Sequence, residues 1–355
     1  MGRDRHKGSI VTKLSSCKKF FATLGKAYMF ASISFLAFQL PDALAQSLEE
    51  AAKREGILTL YSGMPIPNLR TIADAFMKKH PYIRVDYVRA GGPNLLQKIL
   101  AEKAGGKPNA DVIQMVVGLI GAYKEEGILA KYVSPESKFY PEDFKDPEGF
   151  WTGLYSTYKL FIYNTKIVPS KEVPKTFADL LNPRWKREIG IGRNEFEWYI
   201  GMLDFLGEEK GKQFMKRLGD QDVVVTSGLT LTSQLMAAGE FGLSLSSQEA
   251  TLELLKAGAP VGWIPSLTPT IDVPRCIGLA AGAPHPNAAK LMVDFLLSKV
   301  GQTILNTIGR TSIRPDVKRD PALEALNLKL YPFKPKSSKQ MESLIKEYRR
   351  ILLKE

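Results

Sequence analysis

The chain has 355 residues, 44% of them hydrophobic and 24% charged, with 29 Gly and 22 Pro; this excludes a collagen, a disordered tail and a long coiled coil, and the length allows one large domain or two of about 150 residues. Its formal charge is +12, but Lys and Arg are scattered among acids with no basic stripe or nucleic-acid module, so no nucleic-acid partner is expected. Two cysteines, Cys17 and Cys276, and three histidines, His6, His80 and His285, exclude a disulfide scaffold, a four-cysteine zinc site and a His-rich metal site.

From Ala27 to Pro41 the sequence AYMFASISFLAFQLP carries no charge, and Lys18, Lys19 and Lys26 precede it. Asp42-Ala43-Leu44-Ala45 follows, an A-x-A pattern before Gln46. These are the basic region, apolar region and cleavage site of a secretory signal peptide. A membrane span needs about 20 apolar residues, more than this run holds. Residues 1–45 carry seven basic and two acidic groups, so removing them lowers the charge from +12 to +7. Cys17 goes with them, leaving Cys276 with no internal disulfide partner. The expected location is the periplasm.

Beyond Gln46 apolar runs alternate with amphipathic ones. Ile57-Leu58-Thr59-Leu60-Tyr61 predicts a strand, and Leu69, Ile72, Ala73 and Phe76 a helix capped by Asn68. Ile83, Val85 and Tyr87 alternate with Arg84 and Asp86 as a strand. Gly91-Gly92-Pro93-Asn94 opens a helix, and Asp111-Val112-Ile113 makes the next strand. This β-α-β-α-β order implies a mainly parallel α/β sheet, which binds ligands along the edge where its strands end. After Trp151 a second α/β set follows. Strands are predicted at Leu160–Tyr163, Ile189–Gly192, Val223–Val225 and Leu243–Leu245, with helices at Phe177–Leu181, Glu195–Leu206, Leu229–Ala238 and Gln248–Lys256. Ile277–Ala281 reads as a strand, Pro286 begins an amphipathic helix, and a last helix covers Met341–Leu353.

Several segments of this chain are shared with one family. LTLYSG, AFMKKHP, IRVDYVRAGG and NADVIQM open the chain after Gln46, and LFIYNTKIVP follows. TFADLLNPRWKREIGI and GAPHPNAAKLMVDFLLSKVGQ are the most specific. From Gln46 to Glu355 the chain resembles the periplasmic solute-binding proteins of ABC importers, in the branch of extracellular solute-binding family 1 that contains the ferric-ion-binding proteins. The resemblance implies a two-lobed, type II-like α/β fold with a ligand cleft between the lobes and closure by hinge motion. It also implies an ABC permease and ATPase in the inner membrane as partners. The expected division is a signal peptide over 1–45, lobe one over 46–153 plus 271–322, and lobe two over 154–270. The chain would cross between them near 154–166 and 266–278. Residues 323–355 would form a C-terminal helix packed on lobe two, in a monomer.

Ferric relatives use adjacent tyrosines from lobe two, often with a His or carboxylate from lobe one. Here Ser246-Ser247 stands where the tyrosine pair would be, Tyr61-Ser62-Gly63-Met64-Pro65 has no His, and the loop through Gln114 has no Glu. Tyr61, Tyr155 and Tyr158 read as packing residues. Helix starts instead gather polar groups: Gly91, Gly92 and Asn94; Arg193 and Asn194; Ser227; Ser246 and Ser247. Free N–H groups at helix starts suit anions, and an arginine adds a bidentate grip. With Ser62, Gly63 and Gln114 these residues form the expected site for a small anionic organic solute. Glu195 or Asp272 could face an amine on it. A ferric ligand, or output to a sensor or chemoreceptor, stays open as the alternative. No H-E-x-x-H, G-x-S-x-G, P-loop or complete G-x-G-x-x-G is present, so no catalytic residue, metal or cofactor is expected. N-terminal sequencing of the periplasmic protein is expected to begin at Gln46; a product retaining residues 27–45 would contradict the cleavage reading.

Overall fold

The computed structural model describes residues 48–355, so the signal-peptide reading lies outside the described residues. A helix over residues 48–55 leads into β1 (Ile57–Ser62), followed by β2 (Arg84–Arg89), β3 (Val112–Val116) and β4 (Leu129–Ala130). Next come β5 (Thr152–Asn164), β6 (Ile189–Gly192), β7 (Val224–Thr226), β8 (Leu243–Ser247) and β9 (Val261–Trp263). β10 (Thr270–Ala280), β11 (Thr311–Ser312) and β12 (Leu330–Pro332) complete the sheet. The strand order is β2-β1-β3-β10-β5-β8-β6-β7, with β4 and β12 also on β10, and β9 and β11 on β5.

The apolar runs form parallel ladders where helices return the chain: β1 with β2 and β3, and β6 with β7 and β8. The middle of the sheet is antiparallel, β10 to β3 and β5, and β5 to β8. β5 has 13 residues, about 43 Å at ~3.3 Å per residue. Its start pairs with β10 and β11 and its end with β8 and β9. Two lobes of α/β structure therefore hang from one pair of long strands, as the resemblance implied.

In lobe one the helices Ile66–Lys79 and Pro286–Leu297 cover one face of the sheet, burying Leu69, Ile72, Phe76, Met292, Phe295 and Leu296. The first of these starts at Ile66, not after Asn68. Pro67 falls within its first turn, where its missing N–H costs nothing, and no side chain caps it. In lobe two the helices Phe196–Leu206 and Glu208–Gly219 meet at Gly211, whose added Cβ would lie 2.7 Å from Leu203 Cδ2 and 2.9 Å from its Cα. The second helix escapes sequence reading because glycine and many charges hide its apolar stripe. The helix Ser338–Tyr348 begins with a capping box of Ser337 and Gln340. It packs against Phe196–Leu206 and also against the lobe-one helix Ile120–Glu125.

Asp272 lies on β10 opposite Tyr158 of β5 and is 3% exposed. Ser156 Oγ donates to its Oδ2 at 3.0 Å, while its Oδ1 and Tyr158 Oη have no partner among the described residues. Burial pushes the carboxyl pKa up to about 7, with the Ser156 hydroxyl and Arg319 pulling the other way. An unfolded aspartate titrates near ~3.9, so between about pH 4 and 7 the folded chain holds a proton that the unfolded chain has lost, and stability falls as pH rises. Asp272→Asn is expected to stabilise the protein at pH 8 by up to roughly 4 kcal/mol and to matter little at pH 4. Urea unfolding of both proteins across that range would measure it; equal slopes with pH would exclude this role for Asp272.

Candidate functional site

β5 sets the floor of the site. Tyr155, Thr157 and Lys159 alternate on one face of the strand, and all three line a cavity of about 280 Å³. Lobe one adds Gly63, Met64 and Pro65 after β1, and Arg310 before β11; β10 adds Arg275. Lobe two adds Glu195, Leu229, Thr230, Ser247 and Glu249 from the starts of three helices. The cavity is thus walled from both lobes.

Its polar groups come as cation–carboxylate pairs. Lys159 Nζ sits 2.7 Å from Glu195 Oε2, with both side chains about 95% buried. Arg275 Nη1 is 3.4 Å from Glu197 Oε1, and Arg310 Nη1 donates to Glu249 Oε1 at 3.2 Å. Thr157 Oγ1 donates to the same Glu249 oxygen at 3.2 Å. Burial alone would lower the Arg275 pKa, but Glu197, Tyr155, Glu249 and Glu195 outweigh it and the net shift is upward. Arg275 is therefore a fixed positive charge. Burial likewise raises the Tyr155 phenol, so it stays neutral; the Arg310 guanidinium lies 5.4 Å from its ring centroid.

Glu195 is held from behind by the C-terminal helix. Tyr348 Oη donates to Gly192 O at 2.7 Å and accepts from Glu195 N at 3.4 Å. Gly192 leaves room for this loop, since an added Cβ would lie 3.0 Å from Glu195 Oε1 and 3.1 Å from Leu229 N.

Of the residues expected from sequence, Gly63, Ser247 and Glu195 line the cavity, as does Tyr155, which reads as packing in the sequence; Asp272 is buried beside Ser156 and outside the lining. Ser62 and Gln114 stand behind it. Ser62 Oγ donates to Gln114 Oε1 at 2.7 Å, Gly63 N to the same oxygen at 3.2 Å, and Met64 N to Ser62 Oγ at 3.0 Å, which fixes the loop after β1. Ser246 is fully buried, bonded to Ser233 and Thr251. Ser247 Oγ caps its helix by accepting from Ala250 N. Gly91, Gly92 and Asn94 begin the helix Gly92–Ala104 and are not among the lining residues. Asn194 and Ser227 are exposed and likewise absent from the lining. Arg193 is half exposed and paired with Glu355, also outside the lining. Tyr61 donates to Glu102 Oε1 at 2.7 Å rather than reaching the cavity. Sequence reading missed Thr157, Lys159, Thr230, Glu249 and Arg310 altogether. It met Arg275 only as a neighbour of Cys276. The available signal was a charge inside an apolar strand: Lys159 in YKLFIY, Arg275 in VPRCIG.

The model of the family described as bacterial extracellular solute-binding protein matches residues 71–329. The chain belongs to that family, and similar proteins bear the names of periplasmic binding proteins, one of them of a probable ABC transporter. A Salmonella typhimurium protein, provisionally named as a 2-aminoethylphosphonate-binding periplasmic protein, is 25% identical over 256 residues, covering 69% of this chain and 73% of its own length. The major ferric iron-binding protein of Neisseria meningitidis is 25% identical over 184 residues, covering 49% and 54%. Among solved structures, the periplasmic binding protein AfuA from Actinobacillus pleuropneumoniae, with fructose-6-phosphate bound, superposes with TM-score 0.71 at 24% identity over 84% of this chain and 99% of that one.

The Lys159–Glu195 pair generates a stability prediction. Removing one member of a buried ion pair leaves the other uncompensated, at a cost of about 3–5 kcal/mol. Lys159→Met is expected to lower the urea-unfolding free energy by that amount, and adding Glu195→Gln to restore most of it. Additive losses in the double variant would show that the two charges do not neutralise each other.

Proposed function

We propose that this chain is the solute-binding component of an ABC importer for a small anionic organic solute, a phosphonate, phosphate ester or carboxylate. The observation that carries this reading is the wall of the interlobe cavity, where Arg275, Arg310 and Lys159 converge. Charge-assisted hydrogen bonds to such groups are the stronger kind, and in a recessed site they are weakly screened. Glu195 and Glu249 stand beside these cations, so a solute that also carries an amine would find a counter-charge. The Ser247 and Thr230 hydroxyls supply neutral contacts, with Ser62 and Gln114 holding the loop of Gly63. The similar proteins named for 2-aminoethylphosphonate and solved with fructose-6-phosphate bind oxyanions of phosphorus by their names, which supports the same class.

In this reading the protein acts in the periplasm after removal of the signal peptide, as a monomer without catalysis. It closes its lobes on the solute and hands it to a membrane permease and its ATPase. Output to a sensor would use the same cleft. The ferric alternative rests on the Neisseria relative; the cavity offers one tyrosine, Tyr155, and its two carboxylates are already paired to cations.

Thermal-shift and calorimetric titration of the mature protein with 2-aminoethylphosphonate, fructose-6-phosphate, carboxylates and ferric salts tests this reading. A specific solute at 100 times its Kd stabilises the fold by about 2.7 kcal/mol. We expect a phosphorus oxyanion or carboxylate to do so, Arg275→Gln to weaken it by roughly 10- to 100-fold, and Arg193→Ala to change it less than about twofold. A purified protein coloured by tyrosinate-bound iron and indifferent to Arg275→Gln would establish the ferric reading instead.

A further inference from the structure

A second, larger hollow of about 880 Å³ adjoins the cavity. Its lobe-one wall includes Asn68, Lys299 and Arg319, and its lobe-two wall Leu252, Glu253 and Lys256. The two hollows share Pro65, Glu249 and Arg310 as lining residues. The Arg310–Glu249 pair therefore stands at the partition between them. Arg310 precedes β11 in lobe one, while Glu249 lies in the first turn of the lobe-two helix Gln248–Lys256.

Both members are held through their chain neighbours by one residue. Gln248 is fully buried; its Oε1 accepts from Tyr158 N at 2.6 Å, and its Nε2 donates to Ser156 O at 3.0 Å and to Thr311 Oγ1 at 3.2 Å. It ties the residues next to Glu249 and Arg310 to the same stretch of β5. The Arg310 guanidinium is nevertheless incompletely used: its Nε is buried and has no partner among the described residues. Glu249 keeps a second donor, Thr157 Oγ1, when Arg310 leaves it. One partner has a spare donor and the other a spare bond.

We propose that Arg310 is an exchangeable anion-binding residue, with Glu249 as its built-in occupant, displaced when a solute anion enters the cavity. This rests on the anionic-solute reading above. A resident carboxylate lowers apparent affinity, because only the fraction of molecules with Arg310 free is competent to bind. It also selects against weak oxyanions that cannot outcompete it.

The sign of the Glu249 effect is the test. Calorimetric titration with 2-aminoethylphosphonate, fructose-6-phosphate and inorganic phosphate would be run on the mature wild type, Glu249→Gln, Arg310→Gln and the double variant. Glutamine at 249 keeps an acceptor for Thr157. We expect Glu249→Gln to bind roughly 5- to 10-fold tighter, Arg310→Gln at least 10-fold weaker, and the gain from Glu249→Gln to vanish in the double variant. Unchanged or weaker binding in Glu249→Gln overturns the exchange. A second measurement needs no solute: phenylglyoxal labelling of Arg310, followed by mass spectrometry, is expected to run several-fold faster in Glu249→Gln than in wild type. Equal rates overturn the proposal. Faster labelling with no probe anion bound by either protein would leave Glu249 as the occupant of Arg310 but overturn its displacement by an anion, together with the anionic-solute reading.

Discussion

β5 and β10 run side by side, Thr152–Lys159 against Ile271–Ile277, and each continues beyond that pairing into a different half of the sheet. The pairing has to satisfy two demands at once. Its backbone must be hydrogen-bonded like any buried strand, because an orphaned buried N–H or C=O is costly. Its side chains must also serve the gap between the lobes, where only the starts of lobe-two helices reach them. The outcome is a ladder whose flanks are apolar and whose middle is polar: Tyr155, Thr157, Lys159 and Arg275 on the cavity side, Ser156 and Asp272 among the buried groups. The cavity and its charges descend from that arrangement.

Charge in such a place is expensive, and the chain meets the cost by pairing. Lys159 with Glu195 joins β5 to a lobe-two helix, Arg275 with Glu197 joins β10 to the same helix, and Arg310 with Glu249 joins lobe one to lobe two. Pairing keeps the site close to neutral while leaving strong donors within reach of a solute. In the proposed reading an oxyanion would compete with a carboxylate for a cation instead of meeting bare charge, so geometry and valence would decide the outcome more than total charge.

The alternation of strand and helix was legible because the inner strands of each flank are buried on both faces, and such strands read as apolar runs: Ile57–Tyr61, Ile189–Ile191, Leu243–Leu245. The crossing strands were legible only at their apolar ends. Leu160–Tyr163 and Ile277–Ala281 announce themselves, while Thr157, Lys159, Asp272, Pro274 and Arg275 look like loop. For the same reason the site was partly hidden. Reading helix starts for polar residues finds Ser247, which does line the cavity, and also Arg193, Asn194, Ser227 and Asn94, whose helix starts contribute none of these side chains to it. Capping chemistry is alike at every helix start, so it cannot say which starts share a cavity. A lysine or arginine stranded inside a hydrophobic ladder was the better guide, because burial there demands a partner or a purpose.

Tyr348 bonds Gly192 and Glu195 from the last helix of the chain, and β10 lies between β3 and β5 in the sheet. Neither half can therefore be completed from local sequence. Lobe one waits for residues 270–280, and the loop bearing Glu195 waits for a residue more than 150 positions later. In a chain delivered N-terminus first, these contacts can form only after almost all of it has arrived. Long-range pairing of this kind is slow. For export of an unfolded chain, the expectation that accompanies the signal-peptide reading, that delay would keep the chain pliable without any separate device to prevent premature closure.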